Sequence, residues 1–388
     1  MKKNILIHIN SNKISGAEKR ILSTFLQLKH HQFNFYLAIN ESLFECIDRS
    51  IFKTKYDNVI LSKKVLVLPL TKFNFPLSSI WISLVLCYFI FKFKINCIHS
   101  ILSHTPNLLL NLIIGRISIV EICGPNNIPM LFGVNDVLAH FKSTPKTLKL
   151  KYLRKFLISR VNYIRCMSPS LLNRLKSFES RHNQFKKFPQ LVAVNHPYSL
   201  VEKLIDIDEL IDKKKNIITF ASSFYGRKNP ILFAKTLKLF LKENPSWSAY
   251  FLGGGELQKQ LEVLLADEIN TNSVKKIGRV NDISGYLMHS KIYVSLIEPD
   301  NYPSQSIFEA MYYGNALVCS NTGDSNKFIN NNGLLVSLDE SSLLNALNSL
   351  VESPNELLNY CRHSRKHYEN AFDYNLHLKE LYSLYGEF

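Results

Sequence analysis

Short apolar runs of strand length recur along this chain, separated by stretches with helical spacing, and that alternation constrains the fold more than any other feature. In the first half the runs are Asn4–Ile9, Asn34–Ile39, Lys64–Leu70, Asn96–Ile101, Ile117–Cys123, Tyr163–Met167 and Leu191–Asn195. In the second half they are Asn216–Ser222, Ser248–Leu252, Lys275–Ile277, Ile292–Ile297, Ala316–Ser320 and Gly333–Ser337. Several are apolar without a break, as strands covered on both faces must be. Helical patterns between them make βαβ units, whose crossovers set the strands parallel. Two such arrays in succession predict two doubly wound α/β domains, and 388 residues suffice for two cores. The charged stretch Glu202 to Lys215 reads as a surface connection between them.

Hydrophobic residues at 46% and charged ones at 20% place the chain among globular proteins and exclude disorder. Seven cysteines show neither metal-ligand spacing nor a disulfide framework, so they read as small core residues in a reducing compartment. The apolar run after Met1-Lys2-Lys3 is too short for a secretory leader and reads as a first strand. Phe75 to Phe91 would reach about 25 Å as a helix, short of a roughly 30 Å hydrocarbon core. It reads as a buried or membrane-apposed helix.

Charge is divided unevenly. Residues 1–190 hold 28 Lys/Arg against 8 Asp/Glu, net +20, whereas residues 191–388 hold 19 against 23, net −4. Residues 141–190 alone hold 13 basic residues and one acidic one, Glu179. The first half therefore faces something anionic: a phospholipid surface, an anionic acceptor or nucleic acid. No nucleic-acid motif or aromatic-basic interleaving supports the last. Leu153, Phe156, Leu157 and Val161 share one helical face beside Lys149, Lys151, Arg154 and Lys155, which predicts docking on an anionic membrane.

Chemistry concentrates where strands hand over to helices. Glu298-Pro299-Asp300-Asn301-Tyr302-Pro303-Ser304-Gln305-Ser306-Ile307-Phe308-Glu309 runs from a strand end into a helix, where free N–H groups suit phosphate and carboxylates suit sugar hydroxyls. The same residues also read as a plain helix start, with Ser306-x-x-Glu309 as a capping box. Arg227-Lys228-Asn229-Pro230 sets two cations at another such turn, suited to a diphosphate leaving group. Gly16 opens a helix after the first strand, where a glycine lets the backbone approach a ligand and the helix start favours phosphate, with Lys19 and Arg20 pointing to solvent. Gly253-Gly254-Gly255-Glu256 and Ile277-Gly278-Arg279-Val280 form further strand-end turns. His99 and His104 lie at and just beyond the fourth strand. No Asp-x-Asp motif on a strand end, His/Cys cluster or Walker-type loop appears, so no metal is assigned.

These segments, with Gly314-Asn315-Ala316-Leu317-Val318-Cys319-Ser320 and Asn332-Gly333-Leu334-Leu335-Val336, resemble the signature of family 4 glycosyltransferases. The resemblance implies the GT-B fold: two facing Rossmann-like domains with the active site in the cleft between them. It implies an acceptor domain over 1–200, a nucleotide-sugar domain over 201–371 and a helix at 372–388 returning to the first domain. Glu309 matches the family glutamate that grips the ribose. Asn301 stands in register with the other family glutamate, and Glu298 and Asp300 are both close enough to replace it. Donor contacts then fall to Gly16, Arg227, Lys228, Gly254, Arg279, Ser304, Gln305, Ser306 and Glu309, and catalytic ones to Glu298, Asp300, Asn301 and His104.

The implied activity is metal-independent retaining transfer from a UDP- or GDP-linked sugar, with no further cofactor. The implied acceptor is a glycan or lipid-linked molecule in bacterial cell-surface polysaccharide synthesis, such as lipopolysaccharide or capsule. The enzyme would be cytoplasmic and peripheral on the anionic inner face of the membrane, without a nucleic-acid partner. Ser223 in place of a family arginine, and the missing first glutamate, favour the alternative of a catalytically weak nucleotide-sugar-binding partner or sensor.

Overall fold

The computed structural model describes residues 2–9, 11, 16–28, 32–48, 65–68, 77–101, 116–122, 161–181, 189–195, 197–198, 205–280, 282–300, 302–372 and 374–387. Contacts divide the chain into Met1–Asn195 with Asn375–Phe388, and His196–Tyr374. Each unit is built on a parallel sheet.

The first sheet has seven strands: β1 Lys3–Ile9, β2 Phe33–Asn40, β3 Val65–Leu68, β4 Cys97–Ile101, β5 Ile117–Ile122, β6 Tyr163–Cys166 and β7 Gln190–Ala193. Their order is β3-β2-β1-β4-β5-β6-β7. The second has six: β8 Lys215–Ala221, β9 Ser248–Leu252, β10 Val274–Gly278, β11 Ser290–Ser295, β12 Ala316–Ser320 and β13 Gly333–Val336. Here the order is β10-β9-β8-β11-β12-β13. Both sheets begin near the middle, wind outward, then cross to the other side. The reversal falls between β1 and β4 in one and β8 and β11 in the other, and ligands of such sheets sit beyond the carboxyl ends of the strands at that reversal.

Continuous burial explains the unbroken apolar runs. β1 buries Ile5, Leu6, Ile7 and Ile9, and all five residues of β12 are buried. The helix Tyr374–Gly386 sends Leu381, Leu384 and Tyr385 into the first core, where Tyr385 and Tyr382 meet Phe33 at ring separations of 6.0 and 6.2 Å. In the second core, Phe233 lies 5.1 Å from Phe220 and 5.2 Å from Phe251, both pairs stacked. Each such aromatic contributes about 1.5–3 kcal/mol by burial.

Three local features differ from the sequence expectations. Glu202 to Lys215 is not a plain connection, because it contains the helix Ile207–Lys213. The Asp206 carboxylate caps it through the amides of Asp208 and Glu209, while Leu210 and Ile211 are buried. Lys214 is also buried; its ammonium donates to the carbonyls of Ser290 (2.7 Å) and Leu287 (3.3 Å), and burial pulls it down to about 8. Arg20 does not reach solvent either. It is buried against Glu121 of β5, 3.0 Å away, which supplies its counter-charge.

Phe75 to Phe91 becomes the helix Leu77–Lys92. Among the described residues no helix is long and apolar enough to cross a membrane.

Candidate functional site

The carboxyl ends of β8 to β12 carry turns that bond to one another and form one continuous edge. Gly-Arg-Lys-Asn-Pro after β8 folds as a single 3₁₀ turn, Gly226–Lys228. Asn229 then adopts the left-handed conformation (φ 49°, ψ 41°), which Asn tolerates, and Pro230 starts the next helix. Asn229 Nδ2 donates to the Leu296 carbonyl (3.0 Å) and the Glu298 amide to the Arg227 carbonyl (3.1 Å). Arg227 and Lys228 are thereby fixed beside the end of β11. Arg227 is exposed and Lys228 half-buried. Burial and the neighbouring Arg227 charge pull the Lys228 ammonium down to about 7.

The three glycines after β9 serve close backbone packing. A side chain at Gly253, whose φ is +143°, would lie 1.8 Å from the Ser222 carbonyl oxygen. One at Gly255 would meet the Phe224 carbonyl oxygen at 2.6 Å. The Phe224 amide donates to the Gly254 carbonyl (3.1 Å), and the Gly253 amide to the Gly278 carbonyl (2.7 Å). Arg279, exposed, extends across Gly254, with Nη2 3.5 Å from its carbonyl. Among the described residues Arg227, Lys228 and Arg279 form no ion pair.

The turn after β11 separates its carboxylates. Glu298 is exposed, whereas Asp300 is 9% exposed and turned inward. Asp300 Oδ1 accepts from the amides of Tyr302 (3.0 Å) and Asp324 (3.4 Å), and it packs so tightly on Gly323 that a side chain there would lie 2.4 Å away. Asp300 therefore braces two turns. Of the two carboxylates, Glu298 is the outward one. Asn301 and His104 lie outside the described residues, as do Ser15 and residues 141–160 of the basic stretch.

The helix Gln305–Tyr312 follows, with Ser304 at its N-cap and no side-chain hydrogen bond capping it. Ser306-x-x-Glu309 is thus not a capping box: the helix starts one residue before Ser306, and Gln305 Nε2 donates to Glu309 Oε1 (3.1 Å) instead. Ser306 bonds the Tyr293 hydroxyl, which also donates to the Ala221 carbonyl (3.1 Å).

The other end of this helix is fully tied. Gly314 (φ +63°) and Asn315 return their amides to Met311 (3.0 Å) and Ala310 (2.9 Å), a Schellman motif, and Arg365 Nη1 donates to the Tyr312 carbonyl (2.7 Å). A helix secured at its C-terminus and without a side-chain cap at its N-terminus offers backbone donors to an anion.

Arg227, Lys228, Gly254, Arg279, Glu298, Ser304, Gln305, Ser306 and Glu309 all lie on this edge. Gly16 opens its helix in the first unit.

Sequence reasoning missed a second polar cluster, in the first unit. Glu121 accepts from Arg165 Nη1 (2.6 Å) and Arg20 Nη2 (3.0 Å), with His99 Nε2 3.5 Å away. His99 Nδ1 meets the Tyr385 hydroxyl at 2.7 Å, and Arg165 lies 3.7 Å from Glu380. Burial would raise the Glu121 carboxyl, but Arg165, Arg20 and His99 outweigh it and hold it well below the usual carboxylate range. The signal was present in the sequence: Glu121 and Arg165 are single charges inside apolar strands, and they pair across β5 and β6.

Residues 202–367 match the family model of Glycosyl transferases group 1. An uncharacterized glycosyltransferase of Haemophilus influenzae is 24% identical over 183 residues, 46% of this chain and 50% of that protein. The Escherichia coli UDP-Gal:alpha-D-GlcNAc-diphosphoundecaprenol alpha-1,3-galactosyltransferase is 23% identical over 362 residues, 86% of this chain and 84% of that one. The crystal structure of Anabaena HepE in complex with UDP and glucose superposes with a TM-score of 0.71 at 14% identity, covering 99% of both chains. The chain thus has the GT-B glycosyltransferase fold, and its second unit carries the match to the group 1 glycosyl transferases.

Proposed function

We propose that this chain is a retaining glycosyltransferase that moves a sugar from a nucleoside-diphosphate donor to a glycan or lipid-linked acceptor in bacterial surface-polysaccharide synthesis. The observation that carries this is the coincidence, on one sheet edge, of cations without ion pairs and a helix start without a side-chain cap. Arg227 and Lys228 neutralise the diphosphate, assisted by the amides at Ser304, Gln305 and Ser306, and no role is given to a metal. Arg279 and Gly254 line the nucleotide. Glu309 accepts from the ribose hydroxyls, and Glu298 stands where a carboxylate meets the sugar.

As the glycosidic bond breaks, charge accumulates on the departing phosphate. Preorganised donors lower that barrier because they need no reorganisation at that moment. The phosphate oxygen then assists deprotonation of the acceptor hydroxyl on the same face, so configuration is retained. UDP is the favoured donor base, since the Escherichia coli relative uses UDP-galactose and HepE was crystallised with UDP. The same relative's lipid diphosphate acceptor supports a lipid-linked acceptor and a peripheral position on the cytoplasmic face of the membrane.

One observation favours the alternative of a nucleotide-sugar-binding partner: the inward turn of Asp300 removes one of the two carboxylates available to replace the family glutamate. Incubating the protein with UDP-sugars, with and without a lipid extract, separates the two. Transfer to the extract with the donor's anomeric configuration preserved supports the enzyme. Binding without transfer supports the partner, and no binding defeats both.

A further inference from the structure

We infer that the helix Leu77–Lys92 is a docking surface for an anionic bilayer, a proposal that rests on the lipid-linked acceptor reading above. Its sequence, LSSIWISLVLCYFIFK, is apolar almost all round, and such a helix is normally enclosed by a core or a membrane. One side is enclosed by protein: Leu86, Phe89 and Ile90 pack with Leu6, Ala38, Leu68 and Ile98. The other is open. Trp81, Leu84, Tyr88 and Phe91 are 47%, 54%, 65% and 60% exposed. At 100° per residue they fall within about 80° of one another, a single stripe. Only three other large hydrophobic residues are exposed among those described, Tyr225, Leu239 and Val263, and none lies in the first unit.

Chemistry identifies the occupant. Trp and Tyr are the side chains enriched at the boundary of headgroup and acyl chain, where an apolar ring and a polar tip are both satisfied. Lys92 and Lys94 are exposed at the end of the stripe, with Lys92 Nζ 5.5 Å from the Tyr88 ring. Between Asp57 and Glu121 the sequence contains six basic residues (Lys63, Lys64, Lys72, Lys92, Lys94 and Arg116) and no acidic one. A protein partner would need an acidic, apolar face to match this. An anionic leaflet supplies both properties, since it attracts juxtaposed lysines and accepts aromatic rings below its headgroups. At 16 residues the helix is about 24 Å long, suited to lying in the interface.

The chain has two tryptophans, and the other, Trp247, is 7% exposed, so Trp81 reports on this face. The test is binding of the full chain to vesicles of phosphatidylglycerol and phosphatidylcholine, against phosphatidylcholine alone. Sedimentation is followed together with quenching of Trp81 by brominated acyl chains. We expect binding to the anionic vesicles, quenching of Trp81, and about tenfold weaker partitioning or worse for the double variant Tyr88→Ser, Phe91→Ser. Both positions are exposed, so the variant should fold and bind UDP as the parent does.

Three results would overturn the proposal. The variant could partition normally, or binding could leave Trp81 unquenched. Alternatively, the parent could ignore vesicles yet form a dimer that the variant abolishes, making the face a self-association surface. Failure of sugar transfer with intact vesicle binding would instead count against the glycosyltransferase reading alone.

Discussion

The two units share one winding and use the carboxyl ends of their strands in opposite ways. In the first unit, the described polar groups near those ends are turned inward onto each other: Glu121 holds Arg20 and Arg165, and His99 meets Tyr385. In the second, Arg227 and Arg279 are exposed, Lys228 is half-buried, and among the described residues none of the three is in an ion pair. The helix beyond β11 begins without a side-chain cap. The same topology therefore produces an internal clasp in one place and a receptive edge in the other. The difference lies in where carboxylates fall relative to cations, not in the fold.

The largest expected effect breaks the clasp. Replacing Glu121 with alanine removes the carboxylate that two buried guanidiniums share, which should cost about 3–5 kcal/mol of stability. Lys228→Ala, in the second unit, should change stability by less than about 1 kcal/mol. Urea denaturation of both variants checks this contrast, and equal losses would dissolve it.

Next in size is the effect of Lys228→Ala on ligand affinity. Losing one charge-assisted contact should weaken UDP by about 1.5–3 kcal/mol while leaving uridine nearly unchanged. Calorimetry with both ligands gives the ratio, and a loss shared equally by the two would remove Lys228 from the diphosphate.

A smaller effect follows from the proton on Lys228. Its ammonium titrates near 7 in the free protein, so above that pH a bound diphosphate must draw in a proton. UDP affinity should therefore fall as pH rises from 7 to 9, by roughly tenfold or less, because a shift of one unit corresponds to that factor. Lys228→Arg stays charged and should flatten the profile. A fall of equal slope in that variant would place the proton elsewhere.

The sheets were legible in the sequence because parallel strands buried on both faces leave unbroken apolar runs. Ser248–Leu252 and Ala316–Ser320 coincide with β9 and β12 to the residue. Turn chemistry was legible where a residue type has a backbone preference, as in Asn229-Pro230. Three features needed the coordinates. Asp300 and Glu298 are equivalent in a linear reading, and only the amides of Tyr302 and Asp324 show which one faces inward. Ser306-x-x-Glu309 has the spacing of a capping box, but the helix begins a residue earlier. Arg20 looked like a solvated charge because its partner, Glu121, is 101 residues away in sequence.

Backbone hydrogen exchange in the presence of saturating UDP, set against uridine, tests the receptive edge most directly. Slower exchange over residues 226–229 and 304–307 with UDP, weaker protection there with uridine, and no change around Glu121 is the result this account predicts. Equal protection by the two ligands, or protection confined to the first unit, would contradict it.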